Sequence, residues 1–121
     1  MGYELRVERE HPLAYADLEG VLSAGFELRG TRESAELLTR HDDAAHQVGL
    51  WAGRLSAQPG SDWHVAQLAR CCELLGARLV GEDGESYEIR DGILEQVNGS
   101  AVYEFGKLEE ILAMGPAQWS A

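Results

Sequence analysis

The stretch LLGARLVGEDGESYEI, residues 74–89, contains the signals that decide the fold. A helix is predicted to end at Gly76, because glycine readily adopts the left-handed conformation of a helix C-terminal cap. A short apolar strand, residues 77–80, follows the cap. Asp83-Gly84 then supplies a turn into a second strand, residues 86–89. The stretch therefore predicts a helix that runs into an antiparallel hairpin.

Two kinds of ligand loop compete with a plain bend as interpretations of the acidic turn GEDGE, residues 81–85. A phosphate loop opens a helix and has a lysine nearby, whereas this turn opens a strand and is flanked by carboxylates. A calcium loop spreads its oxygen ligands over about twelve residues, whereas the carboxylates from Glu82 to Glu88 alternate between the two faces of a strand. The pattern favours a hairpin, with a weak metal loop as the alternative.

Several short segments elsewhere alternate apolar and polar side chains, as half-buried strands do. These predicted strands are residues 3–8, 26–29, 47–52, 94–97 and 101–105. Residues 53–57 either continue the strand 47–52 or return beside it. Asn98-Gly99 is the strongest two-residue hairpin signal in the chain, so it predicts that the last two strands pair.

Apolar side chains at helical spacing predict four helices. They are residues 13–24, 32–40, 63–75 and 107–114. The second is short and depends on Thr31 as its N-cap, whereas the third is the longest and is capped by Ser61 or Asp62. A chain of 121 residues that is 45% hydrophobic suits one compact domain. The sequence therefore predicts a single α+β domain over residues 1–121, with a mainly antiparallel sheet packed by two to four helices.

Charge is the most informative bulk property of the chain, which carries 21 acidic and 10 basic residues and a formal net charge of −11. Such a surface repels phosphate backbones, so nucleic-acid binding is not expected. It attracts a basic protein and speeds its capture, although acidity of this kind also serves solubility alone. No apolar run is long enough for a membrane span, and the charged N-terminus is unlike a signal peptide.

Cys71 and Cys72 are the only cysteines and are neighbours in the longest predicted helix. Neighbouring helical side chains diverge and form no ordinary disulfide, which suits a reducing cytoplasm. Cys72 lies on the apolar stripe and is expected to be inert. Cys71 is expected to be less buried, with Glu73 and the acidic surroundings raising its pKa. No catalytic motif is present, so the sequence predicts neither an enzyme nor a cofactor.

HDDAAH, residues 41–46, is the one cluster that resembles metal ligands. In a helix, Asp42 and His46 are one turn apart and can share a metal, whereas His41 lies on a different face from His46. His64 would have to join them from the start of another helix. Two ligands do not make a tight site. The preferred interpretation is a solvated turn between a helix and a strand, and a metal-dependent hydrolase is the alternative.

Two motifs of this sequence resemble those of a group of small bacterial proteins. LGAR and GEDGESY, residues 75–78 and 81–87, match a helix-hairpin pattern LGA(R/K)VxGDDGExY, and MGYEL, residues 1–5, matches an N-terminal pattern M-x-Y-(D/E)-L. Those proteins resemble immunity proteins encoded beside secreted polymorphic or contact-delivered toxins. The resemblance implies a cytoplasmic inhibitor and carries no catalytic residue across.

Charge and resemblance together predict an immunity protein that covers the active site of a basic toxin with an acidic surface. The predicted partner-binding residues are Glu82, Asp83, Glu85, Glu88, Asp91 and Glu95, with Tyr87 or Tyr103 as an aromatic anchor. The alternative in another class is a self-associating accessory domain. Its predicted homodimer face comprises Val102, Tyr103, Phe105, Ile111 and Trp119.

Overall fold

Within the part of the chain that this computed structural model describes, residues 3–117 and 119, nine strands form one antiparallel sheet. The strands are β1 Leu5–Glu8, β2 Phe26–Gly30, β3 Ala35–His41, β4 Ala44–Trp51, β5 Leu55–Ala57, β6 Arg78–Gly81, β7 Ser86–Arg90, β8 Ile93–Asn98 and β9 Ala101–Lys107. The helices are α1 Tyr15–Leu18, a 3₁₀ helix Glu19–Ala24, α2 Asp62–Leu75 and α3 Leu108–Met114. The predicted α+β class with an antiparallel sheet is confirmed, although the sheet dominates.

β1 lies at the centre of the sheet and separates two four-stranded meanders. The strand order is β2-β3-β4-β5-β1-β6-β7-β8-β9, and every neighbouring pair is antiparallel. The segment with α1 and the 3₁₀ helix carries the chain from β1 to the edge strand β2. α2 carries it from β5 across β1 to β6. Because β1 is antiparallel to both β5 and β6, those two strands run parallel to each other.

The ends of α2 follow the local signals that predicted them. Ser61 is the N-cap, and its hydroxyl accepts the backbone N–H of His64 at 3.1 Å. Gly76 ends the helix at a φ of 66°, and the N–H of Ala77 bonds the carbonyl of Cys72 at 2.8 Å. This is a Schellman-type ending, which requires a left-handed residue at the position of Gly76. The predicted helix and its stop are confirmed.

The acidic turn between β6 and β7 is a hairpin bend, as predicted. The N–H of Gly81 bonds the carbonyl of Glu85 at 2.8 Å, and the N–H of Gly84 bonds the carbonyl of Gly81 at 3.1 Å. Gly84 has a φ of 84°, the left-handed position that closes a three-residue hairpin loop. The other predicted strands are also confirmed, and residues 53–57 return as β5. The first and last predicted helices are confirmed as well, although most of the first one is a 3₁₀ helix. Met1 and Gly2, part of the N-terminal motif, lie outside the described residues.

The helix predicted at residues 32–40 is wrong, because this segment forms β3 between β2 and β4. Thr31 caps no helix; its hydroxyl bonds the backbone of Ser34 in a turn. Leu37 and Leu38 are both buried, although only Leu37 belongs to the main core cluster, so the sequence lacks the strict alternation of a half-buried strand. The register irregularity at this point leaves Val48 of β4 without a partner on β3. HDDAAH is accordingly a turn between two strands, with Asp42 and Asp43 at φ values of 50° and 65°.

α2 is buried on more sides than its apolar stripe predicts. It contacts the sheet at β4, β6 and β7, and also the 3₁₀ helix and α3. Cys71 is therefore fully buried, so the prediction that it is the more exposed cysteine is wrong. Burial, rather than Glu73, raises the pKa of the Cys71 thiol to about 12, and it raises the pKa of Cys72 as well. None of the described helices is long and apolar enough to cross a membrane.

Two leucines on α2 provide a matched test of this packing. Leu68 is fully buried, whereas Leu74 is 52% exposed. Leu68→Ala removes buried apolar atoms and leaves a cavity, so we expect it to lower the free energy of unfolding by about 2–5 kcal/mol. Leu74→Ala makes the same change in helix propensity and is expected to cost less than about 1 kcal/mol. Urea unfolding measures both, and equal losses would contradict the packing of α2.

Candidate functional site

A concave site of about 470 Å³ lies on the α2 side of the sheet, beside the start of α2. We call it the acidic cleft. Its walls come from residues of β1 and β7–β9, the β6–β7 turn, the loop before α2 and the C-terminal segment. Three carboxylates line it, from Asp62, Asp83 and Glu85, and no lysine, arginine or histidine lines it among the described residues. Its volume lies within the range of roughly 300–1,000 Å³ that is usual for ligand sites.

Glu85 is the buried carboxylate of the acidic cleft, at 3% exposure. The hydroxyl of Tyr3 donates to its Oε1 and Oε2 at 2.9 and 2.7 Å, and the hydroxyl of Tyr87 donates to its Oε2 at 2.7 Å. The backbone N–H of Asp83 also donates to Oε1, at 3.2 Å. The ion pairs among the described residues do not include Glu85. Its charge is therefore stabilised by neutral donors.

The β6 backbone makes room for this side chain because residue 81 is glycine. A Cβ atom at Gly81 would overlap the Glu85 carboxyl group, whose Oε1 would lie 2.6 Å away. The carboxyl group thus folds over the end of β6, where Tyr3, which precedes β1, and Tyr87 of β7 both reach it. The glycine that begins the GEDGE turn is therefore a requirement of the site.

The hydrogen bonds fix the protonation states of all three groups. Burial pushes the pKa of Glu85 upward, but the hydroxyl bonds from Tyr87 and Tyr3 outweigh it and hold that pKa below its usual value. Loss of water and the bond to Glu85 raise the pKa of Tyr3 to about 12, and the same two causes raise the pKa of Tyr87. At neutral pH the site therefore contains a carboxylate and two neutral phenols.

Aromatic rings form the wall opposite the β6–β7 turn. The ring centroids of Tyr103 and Phe105 on β9 are 5.2 Å apart at an interplanar angle of 83°, and those of Tyr87 and Phe105 are 6.2 Å apart. Tyr103 is 63% exposed. The rings are tilted or perpendicular to one another, an arrangement that leaves aromatic faces available to a ligand.

The C-terminal segment forms the remaining wall. The indole N–H of Trp119 donates to Oδ1 of Asp62 at 2.8 Å, and its backbone N–H bonds the carbonyl of Gly60 at 2.7 Å. Asp62 is the first residue of α2, directly after the cap Ser61. Its carboxylate and that of Glu85 therefore belong to different walls of the acidic cleft.

Four of the eight residues predicted to bind a partner line the acidic cleft. These four are Asp83, Glu85, Tyr87 and Tyr103. The structure thus brings the carboxylates of the β6–β7 turn and both predicted aromatic anchors together at one site. The carboxylate oxygens of Glu85, however, already accept hydrogen bonds within the molecule. Glu85 therefore contributes its negative charge to the cleft and orients Tyr3 and Tyr87.

The other four predicted residues lie elsewhere. Glu82 lies in the β6–β7 turn, where its carboxylate accepts the backbone N–H of Glu4 at 2.6 Å. Asp91 lies in the β7–β8 turn, at the other end of the hairpin. Glu88 and Glu95 are register partners on β7 and β8, and their neighbours Tyr87 and Gln96 face the cleft. Because side chains alternate along a strand, Glu88 and Glu95 are on the opposite face of the sheet. The eight residues therefore form no single continuous surface.

The histidines of the alternative metal site pack around one tryptophan. The rings of His41 and His46 meet the ring of Trp63 edge-on, with centroids 5.9 and 5.4 Å away. A ring nitrogen of His64 lies 2.8 Å from the carbonyl oxygen of Val48, and burial lowers the pKa of His64. Among the described residues, no three histidine, cysteine or acidic side chains are grouped so that they could hold a metal ion.

Several residues of this site were missed in the sequence analysis. Tyr3 and Asp62 were not predicted as members of it, and Phe105 and Trp119 were assigned only to a dimer face. One signal could have found Tyr3, because the alternation that predicts β1 places it on the same face as Leu5, which is buried under α2. No local signal links Asp62 or Trp119 to a hairpin in another part of the chain.

Comparison with protein-family models, curated proteins and solved structures finds no match to this chain. The resemblance to immunity proteins therefore stays a prediction.

The hydrogen bonds of Glu85 predict a pH-dependent contribution to stability. We expect Glu85→Gln to lower the free energy of unfolding by roughly 1–3 kcal/mol at neutral pH, because it removes a charged acceptor of three donors. The folded-state pKa lies below the unfolded value near 4.5. The contribution is therefore present above that pH and is lost as the pH falls through the folded-state pKa.

Denaturant unfolding of wild type and Glu85→Gln between pH 7 and pH 2 tests this expectation. Glu88→Gln is the control, because Glu88 is an exposed carboxylate on the opposite face of the same hairpin. Its effect should be small at every pH. A Glu85→Gln effect that is constant with pH would mean that the carboxylate charge is not what Tyr3 and Tyr87 stabilise.

Proposed function

We propose that this chain is a non-catalytic, acidic binding protein that holds a basic protein partner, with the acidic cleft as part of the contact. The observation that carries the proposal is the composition of the cleft, whose described lining residues combine three carboxylates with aromatic rings and include no basic side chain. Exposed Tyr103 at its rim supplies the aromatic anchor that protein interfaces favour. The net charge of −11 steers a basic partner toward this surface.

The most specific role consistent with this chemistry is that of an immunity protein. In this role the chain covers the active site of a cognate toxin in the cytoplasm, where the two free thiols of α2 suit a reducing environment. Support comes from the acidic cleft, the overall charge and the motif resemblance of residues 1–5, 75–78 and 81–87. A basic cleft in the toxin, such as that of a nuclease, is the expected target.

Co-expression with the product of each flanking gene tests the immunity role. We expect one flanking product to be basic and toxic when expressed alone, and harmless when this chain is present. The double variant Asp62→Lys with Asp83→Lys should lose protection, because it reverses the charge of the cleft. The control Asp91→Lys with Glu110→Lys changes the net charge equally, outside the cleft, and should retain protection.

Protection that is retained by the cleft variant and lost by the control would remove the acidic cleft from the interface. Absence of any toxic flanking product that this chain neutralises would contradict the immunity role. Circular dichroism of both double variants checks that the fold is intact.

Self-association is a second candidate function, and the edge strand β9 favours it. β9 is one of the two edge strands of the sheet, and within the described part of the chain it pairs with β8 alone. It carries Val102 and Tyr103, which are 49% and 63% exposed. An open edge strand of seven residues can pair with the same strand of a second copy. Ile111 of the predicted dimer face is instead buried in the core.

Sedimentation velocity separates the two candidates through their salt dependence. A homodimer joins two chains of charge −11, so screening by salt should strengthen it, whereas salt should weaken the capture of a basic partner. If the dimer forms through β9, Val102→Glu should return it to the monomer. Leu50→Glu is the control, because Leu50 is a similarly exposed side chain on β4. A monomer at high protein and salt concentration would eliminate this candidate.

A further inference from the structure

We propose that the acidic cleft is a receptor for a single arginine side chain. The inference rests on the proposed function only for the identity of the molecule that supplies the arginine, namely a basic protein partner. The class of ligand follows from the lining of the cleft itself. Charge, the supply of hydrogen-bond acceptors and the aromatic wall each restrict the ligand, and the three restrictions agree.

The charge of the cleft selects a cation. Asp62, Asp83 and Glu85 are its ionisable carboxylates, and no basic side chain among the described residues lines it. Glu85 is buried and has no ion pair with any residue that the structure describes, so those residues do not cancel its field. A cation entering the cleft would gain the attraction of all three carboxylates in a partly desolvated setting, where such attraction exceeds its value in water.

The amides of Gln96 and Asn98 in the cleft can both donate and accept, whereas several of its other hydrogen-bonding groups act as acceptors toward a ligand. The hydroxyl protons of Tyr3 and Tyr87 are committed to Glu85, and the indole proton of Trp119 is committed to Asp62. What these groups offer a ligand is therefore oxygen lone pairs and ring faces. The ligand has to bring the donors, and a guanidinium brings five of them and no acceptor.

The geometry favours guanidinium over ammonium. The carboxylates belong to two walls, with Asp62 at the start of α2 and Asp83 with Glu85 at the β6–β7 turn. A planar fork carries donors in several directions and can stack its flat face on an aromatic ring, whereas an ammonium acts as a compact point charge. The rings of Tyr103 and Phe105, perpendicular to each other, provide such a surface.

The protein already uses the same pairing twice within its own fold. The guanidinium of Arg32 lies 5.6 Å from the ring centroid of Tyr15, and that of Arg70 lies 5.2 Å from the ring centroid of Phe26. In both places an internal arginine occupies the aromatic face. The rings of the acidic cleft have no such internal arginine among the described residues, so this position is available to a side chain of another molecule.

A titration with a small probe tests the site without any partner protein. The probe is N-acetyl-L-arginine methylamide, and the matched probe is the citrulline compound, which has nearly the same shape and no charge. We expect saturable binding of the arginine probe with Kd on the order of 1 mM. Two-dimensional amide NMR should place the shifts at the β6–β7 turn, β9 and the start of α2. The citrulline probe should bind at least about tenfold more weakly, and the lysine compound should bind more weakly than arginine.

Matched variants locate the binding. Asp62→Asn keeps an oxygen acceptor for Trp119 and removes the charge, and Tyr103→Ala removes an exposed ring. Each should weaken the arginine probe about three- to tenfold. Asp91→Asn makes the same chemical change as Asp62→Asn in the β7–β8 turn outside the cleft, and it should change Kd less than about twofold. The amide spectrum of each variant confirms that it is folded.

Three results would overturn the inference. The first is equal binding of the arginine and citrulline probes, and the second is amide shifts that do not saturate or do not lie at the cleft. The third is an equal change in the Kd of the arginine probe for Asp62→Asn and Asp91→Asn. The outcome is distinguishable from that of the proposed function. Probe binding without toxin protection would support the arginine site and contradict the immunity role. Toxin protection with no probe binding would support that role and overturn the arginine site.

Discussion

The burial of α2 against the sheet is the interaction on which the rest of the structure depends. β1 contributes only four residues at the centre, so two separate meanders have to be joined across a short strand. α2 crosses that strand, and its residues share one hydrophobic cluster with Leu5, Leu55 and Leu79, which come from β1, β5 and β6. The same crossing places the start of α2, with Asp62, beside the start of β1 and the β6–β7 turn. The acidic cleft thus exists because the helix that closes the core begins at that point.

Local signals were enough for some parts of the fold and not for others. α2 and the β6–β7 hairpin were predictable because Ser61, Gly76 and Gly84 act through their immediate neighbours. β3 was mistaken for a helix, since its consecutive leucines are both buried and the strand is stabilised by pairing on both sides. Pairing partners of this kind are distant in the sequence, so no short window contains them.

The candidate site divides in the same way. The hairpin members Asp83, Glu85 and Tyr87 were predicted as neighbours in one turn, and Tyr103 as a nearby anchor. Tyr3 reaches Glu85 across 82 positions of sequence. A carboxylate on a strand faces the cleft only if its side chain points to the face of the sheet that packs against α2. This depends on how the sheet and the helix pack together. The sequence therefore indicates an acidic binding surface, but three of its eight residues lie on the other face of the sheet or at another turn.

Two buried glutamates use their charge in opposite ways, and the contrast bears on function. Glu95 is buried on the outer face and is paired with Arg90, whose Nε lies 3.2 Å from its Oε1, so its charge is largely cancelled by that arginine. Glu85 is buried at the cleft and is satisfied by phenol and amide donors. Neutral donors stabilise an anion without cancelling its field. An arginine from within the chain at the position of Tyr3 would have stabilised the same carboxylate and abolished the attraction. The choice of tyrosine keeps the fold satisfied while leaving the cleft negative, which is the condition under which a guanidinium from another molecule gains most by entering it.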